Sequence, residues 1–159
     1  MRVLMVAPPG AGKGTQGAVI AEHFHIQRVA IGDLLRQGLE EARAAGGGYV
    51  LDGIPRTMAQ ALAAYRVARS LGMTADVALH LRADDDELMR RLLKRAVVEH
   101  RADDTEPVIR QRLKLYREVT APVLTFYARR GILLDVDATR SVEAVSADVL
   151  AALEARAGA

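Results

Sequence analysis

The chain contains no cysteine. Disulfides, thiolate metal sites and cysteine nucleophiles are therefore excluded, and a reducing compartment suits it. It has no apolar run approaching the roughly 18 residues of a membrane span, and its first apolar stretch is too short for a signal peptide. A soluble cytoplasmic protein with no membrane attachment is expected. Excess charge is also scarce: 22 Lys and Arg against 20 Asp and Glu leave a formal +2. That gives no basis for a nucleic-acid partner. The four histidines, His23, His25, His80 and His100, show no metal-ligand spacing and read as structural or surface groups. No internal repeat divides the chain, and no low-complexity tract interrupts it before the alanine-rich tail. At 159 residues it fits one domain, 1–159, with room for a full core. A monomer is expected.

What the chain does have is alternation. Short apolar runs at 3–6, 27–33, 49–53, 76–81 and 131–137 read as five strands. Between them, helical patterns cover 13–24, 34–45, 57–71 and a stretch opened by Asp84, Asp85 and Asp86, where carboxylates favour the positive end of the dipole. Thr105 and Pro107 start a long helix to about Arg129, kinked at Pro122, and Ser141 caps a last one. Apolar strands alternating with amphipathic helices predict an α/β fold: a five-stranded parallel sheet with helices on both faces. Ligands of such sheets bind at the carboxyl ends of the strands. The segments at Gly10, Gly32-Asp33, Asp52-Gly53 and Asp137-Ala138 all follow strands, so they should gather on one edge.

The first of these segments, "PGAGKGT", runs from a strand into a helix. Gly10, Gly12 and Gly14 let the backbone curl so that several N–H groups face one anion, with Ala11 and Thr15 in the same curl. The helix N-terminus and Lys13 add positive charge for phosphates. A flexible turn with a solvated lysine is the plain alternative. Strand, loop and helix in this order favour the phosphate-binding loop of a P-loop NTPase-type fold.

Four stretches in order, "PPGAGKGTQ", "GDLLR" (32–36), "LDGIPRT" (51–57) and "RADDTEPVIRQRLKLYREVTAPV" (101–123), resemble adenylate kinases of the nucleoside monophosphate kinase family. Together they cover most of the chain. The resemblance implies a magnesium-dependent phosphotransferase that interconverts ATP plus AMP with two ADP. It implies ATP contacts from Gly10, Ala11, Gly12, Lys13, Gly14, Thr15, Arg91 and Arg95. Arg36, Arg56 and Gln60 match the family's AMP-binding positions. Lys13, Arg56, Arg91, Arg101 and Arg112 match those that stabilise the transferring phosphoryl group. Asp52 matches a carboxylate that holds Mg2+ through water, with Asp33 behind it. Asp103 and Asp104 match a pair that orients arginines at the base of the lid. Taken alone, each arginine reads as a solvated surface residue, Asp52 and Asp33 as turn or cap residues, and Gln60 as part of an exposed helix face. Arg91 and Arg95, four apart, share one helix face, whereas Arg110 lies two residues from Arg112 and should point elsewhere. The lid, about 97–106, is short and without cysteine, so no zinc is expected.

The sequence also departs from the family. Between "GDLLR" and "YVLDGIPRT" the family inserts a small helical domain that closes over the acceptor. Here about 37–48 intervene, enough for one helix and a turn. The acceptor-binding domain is expected to be missing, with weaker AMP binding and selectivity. Ile31 stands where a threonine is usual, and Ala7 and Ala138 where glycines are. A slow ATPase, a kinase for another small acceptor and a non-catalytic ATP-binding protein are the alternatives.

Overall fold

Alternate residues of the first strand serve two cores. Val3 and Met5 join one buried cluster, while Leu4 and Val6 join another. Such a strand is apolar throughout because both faces of its sheet are covered. The computed structural model describes residues 1–30, 35–100 and 104–158. Within them the order is β1 (Arg2–Val6), α1 (Lys13–His23), β2 (Gln27–Ala30), α2 (Leu35–Ala44), β3 (Tyr49–Asp52), α3 (Met58–Ser70), β4 (Val77–Arg82) and α4 (Asp85–Val98). There follow α5 (Glu106–Leu115), a π turn (Tyr116–Thr120), α6 (Ala121–Ala128), β5 (Leu133–Asp137) and α7 (Val142–Ala157).

The five strands pair in parallel in the order β2-β3-β1-β4-β5. Their carboxyl ends lie in register on one edge: Ala30 pairs with Asp52, Val6 with His80, and Arg82 with Asp137. On one face Ile20, Leu88, Leu92, Ile109, Val149 and Leu153 are fully buried against the sheet. On the other, Leu39, Ala61, Val123 and Tyr127 cover it. The five-stranded α/β sheet read from the sequence is the observed one. Ile31, Gly32 and Asp33 lie outside the described residues.

Local chemistry sets the helix ends. Thr57, Asp84 and Ser141 occupy N-caps, and their side chains accept from the backbone N–H groups of Gln60, Glu87 and Ala144. Thr105 takes the corresponding place before α5 but makes no side-chain cap bond. The kink expected at Pro122 is instead the π turn just before it. Pro122 brings no N–H to the helical ladder, and Ala121 N–H reaches back five residues to the Tyr116 carbonyl.

Among the described residues, one packed helix, α2, lies between β2 and β3. Leu39 and Ala42 of α2 are buried. Gly38 brings α2 so close to β2 that a Cβ there would stand 2.5 Å from Val29 Cγ1. The helix is thus fitted to the sheet as an ordinary crossover.

Candidate active site

Beyond β1 the chain curls through Gly10 and Gly12, both in the left-handed region at φ 85° and 89°. α4 sits against this curl: a Cβ on Gly10 would lie 2.9 Å from Leu92 Cγ. Gly12 is the N-cap of α1 and offers no side-chain acceptor, so the first N–H groups of the helix have no partner within it. They open, with the positive end of the helix dipole, toward any anion placed there. Gly14 has open space where a side chain would be, and Thr15 is exposed beside it. Ala11 is buried beneath. Ala138 belongs to the first core cluster, and Ala7 packs against it. Among the described residues the only non-glycines at positive φ are His25 and His100, so both alanines fit their backbone without strain.

Lys13, the first residue of α1, places its Nζ 3.1 Å from Asp52 Oδ1 at the end of β3. Arg28 of β2 approaches the other oxygen at 3.6 Å. Parallel pairing of Ala30 with Asp52 brings the edge strand near enough for this contact. Asp52 is therefore a carboxylate between two cations at the lip of the loop. Among the described residues, no group of three or more His, Cys, Asp or Glu side chains could hold a metal ion by itself. One carboxylate does suit Mg2+, which keeps most of its waters and shares the phosphates of its nucleotide.

The arginines fall into two sets. Asp104, its side chain fully buried, accepts from Arg95 Nε at 3.0 Å and from Arg112 Nη1 at 2.6 Å. One carboxylate thus joins α4 to α5. Arg91 gives its Nε to Glu87 at 2.5 Å and an Nη to the Arg140 carbonyl at 3.3 Å, bridging α4 to the segment after β5. Hydrogen bonds from Arg90 and Arg91 hold the Glu87 carboxyl down at about 2. Arg90, Arg91, Lys94 and Arg95 line an open cleft of about 280 Å³. Arg110 pairs with Glu106 and takes no part, as its spacing predicts. Arg101 and Asp103 lie outside the described residues.

The second set is tied only to its own turns. Arg36 is exposed and sits 3.9 Å from Glu40, one turn along α2. Arg56 gives its Nε to the Gly53 carbonyl at 2.8 Å. Its backbone N–H is bonded to Gln60 Oε1 at 2.7 Å, so the amide oxygen of Gln60 is already engaged. Among the described residues, no hydrogen bond or ion pair joins Arg36, Arg56 or Gln60 to α4 or α5.

Sequence reasoning missed three participants. Glu87 was within reach of it, since Glu87 and Arg91 stand four apart on one helix. Arg28 and the Arg140 carbonyl were not, because only strand register and loop packing bring them in.

An anion held by the α1 amides would lie beside Lys13, at the carboxyl edge of a parallel sheet. This is the build of a P-loop NTPase-type domain. The comparisons with known proteins narrow that class. A family model described as adenylate kinase matches residues 37–132, and one described as AAA domain matches 6–45. An adenylate kinase of Thermobifida fusca is 38% identical over 189 aligned positions, covering 99% of this chain and 100% of the relative. One from Kocuria rhizophila is 39% identical, covering 96% of this chain and 98% of the relative. One from Leptospira biflexa is 33% identical, with 94% and 97% covered. The chain belongs to the adenylate kinase family, and its class of enzyme is the nucleoside monophosphate kinases. The first alignment spans 189 positions against a chain of 159 residues, so that relative carries positions with no counterpart here.

Proposed function

We propose that this protein transfers the γ-phosphoryl group of MgATP reversibly to AMP, giving two ADP, with weakened acceptor binding and selectivity. The observation that carries the reading is an asymmetry. On the donor side, α4 and α5 share Asp104 above a formed glycine loop. On the acceptor side, one short packed helix, α2, is the element described between β2 and β3. Phosphoryl transfer requires positioning and charge neutralisation more than a general base. Amides of the loop and Lys13 would cradle the β- and γ-phosphates of ATP. Lys13 must leave Asp52 to do so, which frees that carboxylate for the waters of the magnesium ion that ATP carries. Asp33, by resemblance, steadies the same waters. Arg91, Arg95, Arg101 and Arg112 would neutralise charge as the phosphoryl group crosses. Arg36 and Arg56 would grip the acceptor phosphate, and Gln60 would face its base.

The family's acceptor-binding domain is absent in this reading: the single domain 1–159 has a short lid at about 97–106, and about 37–48 replace the insertion. The close fit of Gly38 against Val29 supports a connection adapted to its short length. Closure over the acceptor excludes water, so its loss favours some hydrolysis of ATP. Slow ATPase activity is therefore the second reading. No described helix is long and apolar enough to cross a membrane. A cytoplasmic monomer is the proposed state.

A coupled assay with AMP, GMP, CMP, UMP and no acceptor tests this. ADP formation with AMP is expected, with the four acceptors differing by about tenfold or less, because one base-facing group is worth about one hydrogen bond. Strict AMP preference at low KM would contradict the weakened acceptor side. Absence of any turnover would contradict the enzyme reading.

A further inference from the structure

Outside the nucleotide site, three polar groups form a chain from β5 through β4 to the π turn. His80 of β4 is buried, and its Nδ1 lies 2.6 Å from Asp135 Oδ1 on β5, its partner in strand register. Its Nε2 lies 3.0 Å from the Tyr116 hydroxyl. The carboxylate favours the proton on Nδ1, which leaves Nε2 to accept from the Tyr116 O–H. Asp135 is half exposed, whereas the imidazole is buried.

Tyr116 is bonded at both ends. Its hydroxyl goes to His80, and its carbonyl accepts the Ala121 N–H that closes the π turn. A π turn holds one residue more than an α-helix requires, and such a bulge can shift along the chain. A shift of one position rotates the helix before it by about 100°. Arg112 stands four residues before Tyr116, one turn away on the same face of α5. That rotation would carry its guanidinium off Asp104, where it now sits at 2.6 Å.

We propose that His80 and Tyr116 are positioning residues that hold the π turn in register, and through it hold Arg112 at the site of phosphoryl transfer. The proposal rests on the role given to Arg112 above. Three features of the chain favour it over simple core filling. It joins two strands to the helix at the residue where the helix widens. It lies at the crossing from the first core, which holds Ile109 and Leu113, to the second, which holds Val123 and Tyr127. And a buried imidazole bonded on both sides confers little net stability over an apolar residue of the same shape, whereas it does specify one geometry.

The test is a double-mutant cycle in ATP-to-AMP transfer with Tyr116→Phe and Arg112→Ala. Tyr116→Phe removes one oxygen and should lower kcat by about fivefold, the worth of one net hydrogen bond, with the KM for ATP within about twofold. In the Arg112→Ala background the same change should leave kcat unaltered, while its effect on Tm is equal in both. His80→Gln keeps an acceptor for the hydroxyl and should retain the rate; His80→Leu should lose it. An equal drop in kcat in both backgrounds would reduce the chain to a structural role and overturn the proposal, as would a Tyr116→Phe enzyme at full rate. If Arg112→Ala itself keeps the wild-type kcat, the role of Arg112 falls first and the proposal with it.

Discussion

The arginines of α4 and α5 and the pair Arg36 and Arg56, assigned above to an acceptor, carry similar charges held in different ways. Arg95 and Arg112 come from two helices and meet on one buried carboxylate, and Arg91 is clasped between Glu87 and the Arg140 carbonyl. Their positions are set before any ligand arrives. Arg36 and Arg56 reach only a neighbouring turn, at Glu40 and the Gly53 carbonyl. The difference is one of preorganisation. A guanidinium already placed loses little freedom when phosphate arrives, whereas an exposed one must be ordered at that moment. In the proposed function, the α4–α5 arginines would meet phosphate already placed, whereas Arg36 and Arg56 would be ordered by the acceptor.

Lys13→Ala should cut transfer by about a thousandfold, since one charged donor aimed at the phosphoryl group is worth about that much in a closed site. Steady-state rates with every acceptor should fall together; a fall with AMP alone would move Lys13 away from the donor. Next, Asp104→Asn removes the anion that Arg95 and Arg112 share. Both guanidiniums reach water, so the loss should be about 2 kcal/mol, below the usual range for a fully buried pair. Urea unfolding would measure it, and kcat should fall as well. Gly38→Ala sharpens the other side. Its methyl group meets Val29, so stability should drop by about 1 kcal/mol or more, with the KM for ATP unchanged.

The smallest effect is a matter of pH. Glu87 is held down at about 2 from an ordinary 4.5 by Arg90 and Arg91. A lowered carboxyl pKa stabilises the fold fully above the unfolded value, and that stability is lost as pH falls through the folded one. The wild type should therefore weaken between about pH 4.5 and 2, and Glu87→Gln should flatten that part of the curve. An unchanged slope in thermal melts across the window would separate Arg91 from Glu87.

The sheet was legible in the sequence because its strands are buried on both sides and read as plain apolar runs. The loop was legible because Gly10, Gly12 and Lys13 occur between a strand and a helix. Even the short β2–β3 connection could be counted. What could not be read was partnership across the fold. Asp104 was expected to orient arginines, but that Arg95 and Arg112 both fall to it depends on how α4 packs on α5. Arg28 reaches Asp52 only through strand register. His80 passed for an ordinary structural histidine, since nothing in its spacing ties it to Tyr116 or Asp135. Pro122 announced an irregularity, and the ladder absorbed it as a wider turn before the proline.

In the proposed function, a donor side whose arginines are already placed works beside an acceptor side without its cover. Parallel measurement of ADP formed from ATP plus AMP and of phosphate released from ATP alone tests it most directly. The account predicts ADP formation that saturates only at about millimolar AMP, the weak end of ordinary KM values, together with measurable phosphate release. Saturation at micromolar AMP with no release of phosphate would contradict it.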